Sequence, residues 1–165
     1  MAELTVLESK LGEVIGLAMA AQGASEKVEK LVKEEGEDDL LHALERMRQE
    51  AAETEERATQ RAGTIDGKKT AVLEKARETK KEATEMMDTY LGSNPDALDG
   101  FEFLTMAEAG EVGHWMIVKT MAQRAGDSET LELAEWAVPI QEGHLEQVKQ
   151  GSLKLAEHED PNSPE

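Results

Sequence analysis

The stretch that constrains this chain most is Phe101 to Ala125, FEFLTMAEAGEVGHWMIVKTMAQRA, which contains no proline and keeps one helical period throughout. Ala107, Val118 and Met121 recur at three- to four-residue spacing and mark an apolar face. Glu111 and His114 fall on the same face, three residues apart, so adjacent turns carry a carboxylate and an imidazole that can reach one point. Glu108 stands one turn earlier. Helical bundles place metal ligands inside their cores at this spacing. The rest of the chain is therefore read as the scaffold that completes a bundle around that helix.

Composition supports the same reading. The chain has 165 residues, only 3% aromatics, four prolines and no cysteine. It is rich in Ala, Glu, Leu and Met, which favour helix, and poor in β-branched runs. The expected fold class is all-α, with one domain over residues 1–157 and a polar, disordered tail over 158–165. Without cysteine there are no disulfides, thiolate metal sites or Cys nucleophiles. The net charge of −18 excludes nucleic acid and anionic lipid as natural partners. MAELTVLESK lacks a basic stretch followed by a long apolar run, and no segment approaches the length of a membrane span, so the cytoplasm is the expected location.

Taken in order, the first helix is expected over about Leu4 to Gln22, with Gly23 ending it and Ser25 capping a short second helix. A longer helix follows from about Asp39 to Arg61, with Leu40, Leu44, Met47, Ala51, Thr54 and Ala58 inward and Glu50 on the shoulder. His42 lies off that stripe and reads as a surface residue. A weaker helix covers about Lys69 to Leu91, bent or lying across the bundle because EKARETKKE in its middle looks solvated. Gly92 to Gly100, GSNPDALDG, reads as a loop. Gly126 stops the Phe101 helix, and Asp127 or Ser128 caps the last one, which runs to about Glu157 and carries Pro139 as a kink or a restart. On that last helix Gln141 and His144 repeat the spacing of Glu111 and His114, and the short connection makes the two helices antiparallel neighbours. Trp115, Trp136 and the eight methionines read as packing or interface residues.

Glu111, His114 and His144 are the residues singled out by this pattern. Carboxylate and imidazole together suit iron, manganese or zinc. A buried carboxylate needs a metal or a polar partner. The alternative is a structural polar cluster, with Glu111 bonded to His144 or to an arginine such as Arg48.

The run AEAGEVGHWMIVKTMAQRAGDSETLELAEWAVPIQEGHLEQVKQGSLKLA resembles the C-terminal helix pair of ferritin-like stress proteins of the YciF/YciE type. Matching Met121-Ala122…Gly126-Asp127 to that family's turn puts its leading Glu on Glu108 and its later Glu on Glu111. Glu8, followed by Leu11 and Val14, resembles the first-helix glutamate, and Glu50 falls where the family has a histidine. The family's histidine after the leading Glu is Ala109 here, and its last acidic pair is Ile140-Gln141. The resemblance implies a ferritin-like four-helix bundle with one or two additional short or crossing helices. It implies a di-iron or di-manganese centre held by Glu8, Glu50, Glu108, Glu111, His114 and His144, in a protein that handles metal or answers oxidative or general stress. Relatives often pair, so a homodimer is a candidate assembly. The alternative is a metal-free, degenerate bundle that acts as a dimeric structural or protein-interaction module.

Overall fold

A computed structural model describes residues 2–164, and all regular structure among them is helical. α1 spans Val6–Glu35, α2 Leu41–Thr64, α3 Lys69–Leu91, α4 Ala97–Ala125 and α5 Ser128–His158; a single 3-10 turn, Asp38–Leu40, precedes α2. No helix among the described residues is long and apolar enough to cross a membrane.

α1, α2, α5 and α4 form a closed ring in which each packs on the next. Pairs across the ring fix the directions. Glu29 and Gln22 of α1 meet Arg48 and Glu55 of α2, Glu50 and Arg61 of α2 meet His144 and Thr130 of α5, Val28 and Glu13 of α1 meet Gly100 and His114 of α4, and Thr105 of α4 meets Ser152 of α5 across the short turn that joins them. Every neighbour in the ring is thus antiparallel. α3 lies outside it, along α1 and parallel to it, and returns the chain to the end where α4 begins. α3 is therefore the long connection between the two halves, and it runs along the bundle where the sequence suggested a bend or a crossing.

Close packing of α3 on α1 depends on two glycines. A Cβ on Gly12 would meet Lys75 and the Val72 carbonyl, and one on Gly16 would meet Thr79 Cβ at 2.7 Å. The four-residue spacing puts both glycines on one face, so the helices approach more closely than side chains would permit.

Several boundaries differ from the sequence expectation. α1 runs unbroken through Gly23 and Ser25 to Gly36, where φ is +75° and the backbone N–H reaches back to Lys33 and Val32. An exposed glycine costs a helix only ~1 kcal/mol, less than this helix gains by burying Val28 and Val32 beyond it. α4 begins at Ala97, inside the expected loop, because Asp96 and Asp99 form a reciprocal capping box there. α5 continues through Pro139, whose ring faces solvent, so the carbonyl it frees can bond water. Residues 159–164 of the tail are exposed and include a short turn; Glu165 lies outside the described residues.

The apolar core is in two parts. One gathers Val28, Leu44, Met47, Phe101, Leu104 and Val148; the other gathers Leu11, Ile15, Ala58, Val72, Trp115 and Ala137. The stretches between them on α2, α4 and α5 place Glu50, Thr54, Glu108, Glu111, Gln141 and His144 in one polar layer at mid-bundle.

Candidate functional site

α4 positions two of the polar layer's carboxylates. Phe101, Leu104, Glu108, Glu111, Trp115, Val118 and Ala122 form its buried line, a 3–4 alternation that faces the bundle axis. Glu108 and Glu111 are each no more than 3% exposed. The buried line keeps Glu111 and Val118 from the face read in the sequence but takes Glu108, Trp115 and Ala122 in place of Ala107, His114 and Met121, so Trp115 points inward and His114 moves to the edge. α5 brings Gln141 and His144 in on the same layer, and α2 brings Glu50 from the shoulder.

His144 is the hub. Its Nε2 lies 2.9 Å from Glu50 Oε2, and its Nδ1 lies 3.5 Å from Glu108 Oε2. Burial alone would lower its pKa, but the hydrogen bonds and charges of Glu108 and Glu50 outweigh that and raise it above the ordinary histidine value. The ring is thus held between two carboxylates that favour its protonated form. Arg46 Nε, 3.6 Å from Glu50 Oε1, adds a cation on the solvent side.

Glu111 has no such partner. Enclosure, and then the like charge of Glu108, push its pKa well above the usual carboxylate range, which favours its protonated form. Neither partner considered from sequence reaches it: His144 pairs with Glu50 and Glu108, and Arg48 pairs with Glu29 at 3.0 Å. Glu111 Oε2 and both amide atoms of Gln141 are enclosed with no hydrogen-bond partner, and Glu108 Oε2 has only the long approach of His144 Nδ1 at 3.5 Å. Such atoms are uncommon in folded proteins and ask for water or a ligand.

Of the six expected metal donors, Glu50, Glu108, Glu111 and His144 share the layer. Glu8 and His114 do not. Glu8 belongs to the α1 cap, where its carboxylate accepts from Thr5 N at 2.7 Å, Thr5 Oγ1 accepts from Glu8 N at 3.2 Å, and Lys68 Nζ lies 3.5 Å away. Thr5-Val-Leu-Glu8 ahead of an apolar run is a capping-box pattern, so this role was readable in the sequence. His114 is partly exposed; its Nδ1 bonds the Gly110 carbonyl at 2.7 Å, and its Nε2 lies 3.9 Å from Glu13. His42 is exposed beside Glu45, as expected.

A two-metal centre does not fit these donors. It would need a carboxylate from α1, but at this level α1 presents Ala18 and Ala21, both buried. Among the described residues, no three His, Asp or Glu side chains are arranged to hold a metal ion. Both ring nitrogens of His144 already face carboxylates. The chemistry the layer can perform as it stands is to hold protons and to accept hydrogen bonds.

Thr79 of α3 escaped sequence reasoning because it sits within a charged run. It is buried, its Oγ1 has no partner, and it lines a cavity with Glu108 and Glu111. Its burial follows from Gly16 opposite, a signal visible only once α3 is known to lie on α1.

No protein-family model matches this sequence, and searches of curated proteins and of solved structures gave no match.

Proposed function

We propose that this chain is a degenerate ferritin-like bundle that keeps a carboxylate–histidine layer in a metal-free, protonated form and serves as a binding or interaction module. The observation that carries this reading is His144, whose two ring nitrogens both face carboxylates, at 2.9 and 3.5 Å. A histidine so held is favoured as a cation, which offsets the layer's negative charge without a metal. Enclosure favours the protonated form of Glu111 as well, which offsets one further charge. The interaction role draws on α4, whose outward face carries exposed Met106, Met116 and Ile117, and a second copy of the chain is the proposed partner.

A second reading keeps the metal: a ferritin-like iron or manganese protein of metal handling or stress defence. The enclosed oxygens of Glu108 and Glu111 that make no full hydrogen bond favour it, because buried carboxylates short of donors suit a cation. Glu50, Glu108, Glu111 and His144 would hold it after His144 turns from its two carboxylates, and it would supply Lewis-acid or redox chemistry. These residues come from three helices and suit one ion better than two.

Elemental mass spectrometry separates the two. The protein is purified without a His-tag, reloaded with Fe(II) or Mn(II) and desalted. The metal-free reading expects no metal above the level of a Glu111→Ala, His144→Ala double variant. One or two equivalents per chain, lost in that variant, would overturn it and establish the metal centre.

A further inference from the structure

A cavity of about 370 Å³ lies between α1, α3 and α4, beside the polar layer. Leu17, Ala21, Met87, Phe103 and Leu104 give it apolar walls. Its buried polar groups are few, while Glu82, Thr84 and His114 stand at its more exposed edge. Glu108 and Glu111 line the cavity, each with an enclosed carboxylate oxygen that makes no full hydrogen bond (Glu108 Oε2 has only the His144 ring nitrogen, at 3.5 Å), and Thr79 adds an unpartnered hydroxyl from α3. All three side chains belong to residues at least nine-tenths buried. Among the described residues, no lysine or arginine lines the space. An apolar pocket of a few hundred Å³ with a small set of convergent polar groups is the usual form of a small-molecule site.

The polar set selects the ligand. Two carboxyl groups and a hydroxyl free to accept disfavour a carboxylate or phosphate, and among the described residues the one lining side chain that can carry positive charge, His114, is partly exposed at the edge. A neutral alcohol brings one donor. A primary ammonium brings three donors and a positive charge, and its alkyl chain matches the walls. We propose that this cavity binds a primary alkylammonium ion, with its head group at Glu108, Glu111 and Thr79 and its chain along Leu17, Met87 and Phe103. The inference rests on the metal-free reading of the layer, since a metal held by Glu108 and Glu111 would take the same oxygens.

The test is isothermal titration of the full chain with n-octylammonium chloride, n-octanol and sodium octanoate, in about 0.5 M NaCl to screen adsorption of amines to the acidic surface. The expected result is one octylammonium per chain, bound at least ~10-fold more tightly than octanol, a difference of ~1.4 kcal/mol, with no octanoate bound. Glu111→Gln should weaken octylammonium binding by ~10-fold and leave octanol unchanged, because the ammonium takes the place of the proton that enclosure favours on Glu111, and an amide cannot form that ion pair. Thr79→Val, nearly isosteric, provides the same reading should Glu111→Gln not fold, with a smaller loss. Ala83→Leu, at the half-buried edge of the cavity, should reduce both ligands by filling the space. Equal affinity for octylammonium and octanol, binding at many weak sites, or indifference to both Glu111→Gln and Thr79→Val would overturn the proposal. Metal loading is measured separately: no metal and no amine bound defeats the inference alone, whereas metal bound at the layer defeats the reading beneath it.

Discussion

The Glu111 carboxyl is enclosed on α4, and its nearest charged neighbour, Glu108, has the same sign. That makes it a source of pH dependence. Its folded pKa is raised, so the native state binds the proton more tightly than the unfolded chain does. Its contribution to stability is complete below the ordinary carboxylate pKa and is lost as pH rises through the raised value. His144 acts in the same direction, from the ordinary histidine value upward. Asp127 acts oppositely: its pKa is lowered, with burial opposed by hydrogen bonds from Thr130 and Arg61, so its contribution fades in acid. Thermal melts followed by circular dichroism should therefore show Tm rising from about pH 8 to about pH 5.5 and falling again below about pH 4. Glu111→Gln should flatten the alkaline limb. A Tm that is level or declines between about pH 8 and about pH 5.5 would contradict the linkage. At this scale the sequence was informative about which residues are polar in the core, and Glu111 and His144 stand out from their apolar stripes. It was silent on pairing, because His144 chooses Glu50 and Glu108 through the ring geometry of four helices. His114 failed for a local reason: Trp115, its neighbour, is larger and more apolar and takes the inward position.

Each helix was legible in its period, and the ends less so. α3 falls at the residues its pattern predicts, Lys69 to Leu91. α1 was divided in error because Gly23 and Ser25 carry the local signature of a stop and a cap, whereas Val28 and Val32 continue the buried stripe and decide the outcome. Two glycines of this one helix make opposite predictions. Gly23 is exposed, and a Cβ there would touch nothing within 4 Å. Gly23→Ala should therefore raise stability by up to ~1 kcal/mol through helix propensity alone. Gly16 faces α3, and a Cβ there would meet Thr79 and the Ala76 backbone. Gly16→Ala should lower stability by roughly 1–3 kcal/mol, because α3 must move away and Val72 and Ala76 lose packing. Urea titrations at one pH compare the pair directly. A stabilised Gly16→Ala would mean that α3 does not lie as close to α1 as described.

For the whole molecule, net charge and surface chemistry pull against each other. The chain carries −18, yet α4 keeps its outward face free of charge from Met106 through Gly110 and Gly113 to Ile117. Neither glycine has anything within 4 Å of a built Cβ, so no packing inside the chain requires them there. Glycine in a helix interior costs ~1 kcal/mol, and a helix apolar on all sides is normally covered on all sides. A second α4 crossing antiparallel near Gly113 would cover the stripe and bring Glu102 at one end toward the partner's Arg124 at the other. Sedimentation of the full chain at tens of micromolar, a range typical of modest interfaces, should then give a dimer. Because two copies repel through their net charge, the dimer should tighten as salt is raised from about 0.05 to about 0.5 M. Ile117→Glu should return it to monomer while keeping its helical circular dichroism, with a Tm that no longer depends on protein concentration. A chain that stays monomeric at every salt concentration would leave the α4 stripe without a self-partner, and the dimeric part of the interaction reading would fall.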